Sequence, residues 1–163
     1  MTDDIFKTVF DVSQAGNQNW WFPWYGLGLL LVGWLAASKA QISLQVRRIF
    51  LGLLFLSVIA LTSVDFYVSS HDYKNATRAL ETNSASYVEG NVETFNPLPW
   101  WAHGKESFSV HGITFRYSNN IETGGFNNTA AHGGPIINGL YVRIWYLPNQ
   151  FGENKIIKLQ IKK

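Results

Sequence analysis

Ile49–Val68 (IFLGLLFLSVIALTSVDFYV) is an almost unbroken apolar run. About twenty such residues, at roughly 1.5 Å rise each, match the roughly 30 Å hydrocarbon thickness of a bilayer, so the run predicts a membrane span. A second apolar run, from Trp20 to Ser38, predicts another. Trp20, Trp21, Trp24 and Tyr25 cluster at its start, as expected of amphipathic rings at the headgroup level. Pro23 falls in the first helical turn, where its missing N–H costs nothing. The expectation is a two-helix transmembrane hairpin over residues 20–69, with spans at about 20–38 and 49–68. Gly28, Gly33, Gly52, Ser57, Ala60 and Ser63 would let the helices approach closely. Asp65 is the ionisable residue within the second run: an acid at membrane depth is a functional candidate, but about one turn from the end of the run its carboxylate is expected to reach interfacial water.

The flanks have other rhythms. Residues 1–19 carry Ile5, Phe6, Val9, Phe10 and Val12 among charged neighbours, a spacing that suits a short interfacial helix or a frayed tail. Residues 70–84 mix polar and helix-forming types and predict a stalk extending the second span. From residue 85 the period shortens to two, the signature of strands. Residues 85–95 form a long strand interrupted at Gly90, where it can bend.

Glu106–Tyr117 (ESFSVHGITFRY) predicts a hairpin in one register. With His111-Gly112 as the turn, Val110 faces Ile113 and Phe108 faces Phe115 on one side, while Ser109/Thr114 and Ser107/Arg116 face outward. His111 is thereby a turn residue. A further strand over 139–147 places Leu140, Val142, Ile144 and Tyr146 opposite Tyr141, Arg143 and Trp145. The last, over 155–162, alternates Ile157, Leu159 and Ile161 with Lys158, Gln160 and Lys162. The predicted fold class is membrane α plus all-β: the hairpin, then a five-stranded OB-like, alternatively SH3-like, β-barrel over 85–163. Residues 118–138, rich in Gly, Asn and Thr, form a loop too long to be mere connection in a compact domain, and such loops often carry function.

Composition narrows the function classes. The 163 residues carry a net charge of +2, dispersed along the chain, which leaves no footprint for duplex nucleic acid. Cysteine is absent, which removes disulfides, thiolate metal sites and cysteine nucleophiles. The acidic start of the chain is unlike a cleaved signal peptide, so both spans are expected to be retained. Lys39, Arg47 and Arg48 in the connector place it in the cytoplasm by the positive-inside tendency, and the β-domain on the other side.

His71, His103, His111 and His132 lie beyond the spans, and His103 stands three residues before Glu106, but no set of converging ligands is visible. No aspartate follows Asp72, which disfavours magnesium-dependent phosphoryl chemistry, and no serine sits in a nucleophile elbow. No metal, cofactor or enzymatic activity is expected. Binding is better served. Asn119, Phe126, Asn127 and His132 in the long loop, with Arg116, Tyr117, Arg143 and Trp145 on the strands, offer amides, charge and stacking surfaces for a ligand. The loop glycines equally serve turns, with His132 hydrogen-bonding the loop. Pro97-Leu98-Pro99-Trp100-Trp101 predicts a stiff loop whose Trp100 and Trp101 either dip into headgroups or pack in the core.

Phe10-Asp11-Val12, Gly16, Trp20-Trp21-Phe22, Val88-Glu89-Gly90-Asn91-Val92, Glu106-Ser107-Phe108-Ser109-Val110, Phe115-Arg116-Tyr117-Ser118, Gly125-Phe126-Asn127, His132-Gly133-Gly134-Pro135-Ile136 and the run Gly139 to Ile144 together resemble a widespread family of small, uncharacterised bacterial membrane proteins. The resemblance covers both halves of the chain. It implies a small bacterial membrane protein and no assigned activity; with the two spans and the orientation of the connector, the expectation is a multi-pass protein of the bacterial inner membrane with a periplasmic C-terminal domain. Two functions are expected: a non-enzymatic, membrane-anchored binding module on the non-cytoplasmic side, acting on an envelope or membrane-protein partner in homo-oligomeric form; or, with the barrel in the cytoplasm instead, a cyclic-nucleotide sensor, since the architecture resembles membrane effectors of bacterial anti-phage systems.

Overall fold

The computed structural model describes residues 5–16, 22–101, 104–119, 124–148 and 153–163, the side chains at 22 and 23 excepted. Trp20, Trp21 and His103 therefore lie outside the described residues. The chain divides into two units, 17–71 and 1–16 with 72–163.

The first unit holds two helices, α2 (Phe22–Lys39) and most of α3 (Leu44–Glu81). α3 contains a window apolar and long enough to cross a membrane, with 6% of that window buried. Among the described residues it is the one helix that qualifies. The expected first span does not. α2 has 18 residues, in which Trp24, Tyr25 and Trp34, the glycines at 26, 28 and 33, and the terminal Lys39 dilute its apolar character. The expectation of a multi-pass protein with two spans is thus replaced by one candidate span. α2 packs along α3 at Gly26, where a Cβ would stand 2.8 Å from Val58 Cγ1, and at Gly33, 2.2 Å from Leu54 Cδ2. Gly28 and Gly52, also expected at the contact, face open space.

The second unit is a seven-stranded mixed sheet: β1 (Phe6–Asp11), β2 (Ser86–Asn91), β3 (Glu93–Asn96), β4 (Glu106–Val110), β5 (Ile113–Tyr117), β6 (Tyr141–Pro148) and β7 (Asn154–Lys162). Its hydrogen-bonded path runs β2-β6-β7-β5-β4-β3, with β1 added on β7, and among the described residues it does not close on itself. This overturns the expected hairpin plus five-stranded OB-like or SH3-like barrel.

Two departures explain the count. The long first strand splits at buried Val92, whose N–H donates to Leu140 O and whose carbonyl accepts from Gly139 N–H, so β2 pairs with β6 and β3 with β4. The N-terminal segment is a strand, neither interfacial helix nor frayed tail, antiparallel to β7 with a register shift between Thr8 and Phe10. That irregularity inserts Val9 and gives Phe6, Val9 and Phe10 a spacing that imitates a helix.

The four-residue α1 (Val12–Ala15) follows, capped by the Asp11 side chain accepting from Ser13 N–H at 3.0 Å. The expected stalk is the continuation of α3, and its Ala76 and Ala79 pack with Val12 and Ile157 in a small second core. The main core gathers Val88, Phe108, Val110, Phe115, Val142, Ile144, Ile156 and Leu159 between the strands. The β4–β5 hairpin has the register read from the sequence, Val110↔Ile113 and Phe108↔Phe115, with His111 and Gly112 both at positive φ.

Candidate functional site

β5 and β7 are parallel neighbours in register at Phe115↔Asn154. A cavity of about 130 Å³ opens beside that contact. Arg116, Tyr117 and Ser118 line it from the end of β5; Glu153, Asn154, Lys155 and Ile156 from the start of β7; and Lys105, Phe126 and Asp72 complete it. Phe126 reaches the cavity because its N–H donates to Ile156 O at 2.9 Å. The preceding residue must then be small, since a Cβ at Gly125 would meet Lys155 Cγ at 2.6 Å and Ile156 O at 2.9 Å.

The charges are arranged in pairs. Lys105 Nζ donates to Glu153 Oε2 at 2.6 Å, and Lys155 Nζ is paired with Asp72 Oδ1. Asp72 also accepts from Gly124 N–H at 3.3 Å, tying the loop to α3. Arg116 has no partner among the described residues. Tyr117 is 5% exposed, and its hydroxyl is buried without a hydrogen-bond partner. Burial first, and then the nearby Glu106 carboxylate, raise the Tyr117 hydroxyl above its ordinary range, so it stays protonated.

Glu106 itself is 0% exposed. Its carboxylate accepts from Leu98 N–H at 3.2 Å and, through both oxygens, from Ala130 N–H at 3.0 Å. One side chain thereby holds the Pro97–Trp101 loop against the 3-10 turn at Ala130–His132. In that turn His132 contacts the Thr129 hydroxyl at 2.9 Å and the Asn119 amide at 3.2 Å.

Of the eight ligand residues expected from the sequence, the structure brings Arg116, Tyr117 and Phe126 to the cavity. Asn119, Asn127 and His132 do not line it, and the bonds of Asn119 and His132 serve the loop. Arg143 and Trp145 stand elsewhere, outward on β6. Arg143 Nε donates to Glu89 Oε2 at 3.0 Å, and its guanidinium lies 3.7 Å from the Phe6 ring centroid. Tyr141 and Tyr87 hydroxyls donate to the same Glu89 carboxylate. The Tyr87 bond first, then Arg143 and Tyr141, hold the Glu89 carboxyl below its ordinary range despite some burial. Burial and Glu89 in turn push Tyr87 up to about 12. Trp145 packs 5.0 Å from Tyr87 and carries Lys158 at 5.4 Å from its ring.

Sequence reasoning missed Lys105, Glu153, Lys155 and Asp72. They are scattered over 83 residues of separation and share no motif; the Gly124-Gly125 pair was the one local sign that backbone approaches backbone there. Among the described residues no three His, Asp or Glu side chains converge as a metal site would require.

The second feature is aromatic. Trp100 and Trp101 are 78% and 68% exposed, with ring centroids 5.8 Å apart and edge to face. Neither packs in the core, which removes that alternative. Trp24 and Tyr25, at the start of α2, are exposed as well.

Comparison of the chain with protein-family models, with characterised proteins and with solved structures finds no match.

Proposed function

We propose that the protein is a non-enzymatic, membrane-anchored binding module, with α3 as its anchor and the β unit working against the bilayer surface. The supporting observation is the Trp100/Trp101 pair. Two indoles exposed by more than two-thirds are costly in water, and the loop that carries them is stiffened by Pro97 and Pro99 and fastened at Leu98 by Glu106. Indole prefers the headgroup region, where its ring is shielded and its N–H stays hydrated. The occupant of this tip is the lipid interface. The cyclic-nucleotide alternative leans on Arg143 as a phosphate contact, and that guanidinium is already paired with Glu89 and stacked on Phe6.

The absence of native cysteine permits a direct test. Nitroxide labels are placed at Trp101→Cys and, as control, at Thr114→Cys, an exposed position on β5, in the full chain reconstituted into phosphatidylcholine/phosphatidylglycerol vesicles. The label at 101 is expected to be shielded from a water-soluble relaxant and accessible to oxygen, with the label at 114 fully hydrated. Equal hydration of both overturns the reading. Immobilisation of the label at 101 in detergent without lipid also overturns it, in favour of a second copy as the occupant.

A further inference from the structure

We infer that the cavity between the end of β5 and the start of β7 is a binding site for a small organic monoanion, a carboxylate carried on an aromatic body. The inference goes beyond the membrane reading above and does not depend on it.

Charge argues for a monoanion. Lys105, Arg116 and Lys155 supply three positive charges and Asp72 and Glu153 two negative ones, leaving a net +1 at the cavity. Both lysines are neutralised within the chain, so the uncompensated cation is Arg116, whose planar fork matches a carboxylate in bidentate geometry. A bare phosphate dianion is the poorer fit, because it would have to displace Asp72 or Glu153 to gather a second cation.

The walls argue for the body. Phe126, Ile156 and Tyr117 present aromatic and aliphatic surface. Tyr117 adds a buried hydroxyl that stands near the Glu106 carboxylate and makes no well-formed hydrogen bond within the fold. A buried hydroxyl without a well-formed bond gains free energy when a ligand oxygen supplies one. Because its proton is held firmly, it acts as a donor across the whole neutral range. Size fits as well: about 130 Å³ holds roughly ten water molecules, the bulk of a single substituted ring.

The test uses the full chain in detergent micelles, so a failure here is separate from any failure of the bilayer reading. Benzoate is titrated calorimetrically against its neutral isostere benzamide and against inorganic phosphate. Saturable benzoate binding is expected, with benzamide at least tenfold weaker. Arg116→Gln, at an exposed position, is expected to weaken benzoate at least tenfold. Tyr117→Phe, which removes the buried hydroxyl and keeps the ring, is expected to weaken it three- to tenfold without lowering the thermal unfolding midpoint. No saturable binding of benzoate, binding that neither substitution alters, or preference for phosphate overturns the proposal.

Discussion

Glu106 is the residue on which the loops at this end of the β unit depend. A fully buried carboxylate without a cation is costly unless its oxygens are satisfied, and here the backbone N–H groups of Leu98 and Ala130 satisfy them. Glu106→Ala removes the acceptor and leaves both donors without it, so the expected loss is about 3–5 kcal/mol in urea unfolding of the full chain. The aromatic near-ultraviolet signal should change as the Trp100/Trp101 loop loses its tether. A loss below about 1 kcal/mol would show that water replaces the carboxylate. The alternation of β4 places Glu106 on the same face as Phe108 and Val110, so the residue pattern alone marks it as inward. Its partners, 8 and 24 residues away in loops, could not be read from that pattern.

At the scale of elements, the N-terminal strand decides how the β unit is completed. β1 lies on β7 through pairs from Phe6↔Lys162 to Asp11↔Lys158, and Val12 then turns under it into the second core, 1% exposed beside Ala76, Ala79 and Ile157. Ile157 reaches that core because β7 shifts register against β6 between Trp145 and Tyr146, sending Ile156 to the main core and Ile157 to the opposite side. The strict alternation expected of Ile157, Leu159 and Ile161 breaks there. Val12→Asp buries an unpaired carboxylate in this pocket and is expected to cost about 3–5 kcal/mol, read as a lowered urea midpoint at constant slope. No change would mean that residues before Gly16 behave as a free tail.

For the whole molecule, the outer face of β2, β6, β7 and β1 sets a pH window. Glu89 and Asp11 both titrate below their ordinary values. At Glu89 the Tyr87 bond leads; at Asp11 burial, which opposes the shift, is outweighed by Ser13 and Lys158. The unfolded chain therefore takes up protons first as pH falls. Stability from these carboxylates is present above their unfolded values, 4.5 for Glu89 and 3.8 for Asp11, and is lost below them. Tyr87 runs the other way: its value is raised from 10.0 to about 12, so its contribution is present below 10 and lost as pH climbs towards 12. Thermal midpoints should be flat from about pH 5 to 9 and fall on both sides. Glu89→Gln should blunt both limbs. An alkaline limb unchanged in that variant would remove Glu89 as the cause of the Tyr87 shift.

What the sequence determined by itself is local. The apolar run within α3, the inward faces of β4, β5 and β6, and the hairpin register at His111-Gly112 each follow from the repeat of apolar residues over about ten positions, and steric and hydrophobic preferences at that range need no distant partner. Tertiary structure alone decided the rest. β1 became a strand because the edge of β7, some 150 residues later, was there to pair with it, as in the Gln160 to Thr8 bond across 152 residues. Arg143 pairs with Glu89, 54 residues away, and the cavity was assembled from Asp72, Lys105, Arg116 and Lys155, which no spacing connects. Register shifts and charge pairings of this kind are set by which surfaces meet, and the local pattern of a chain carries no record of its distant neighbours.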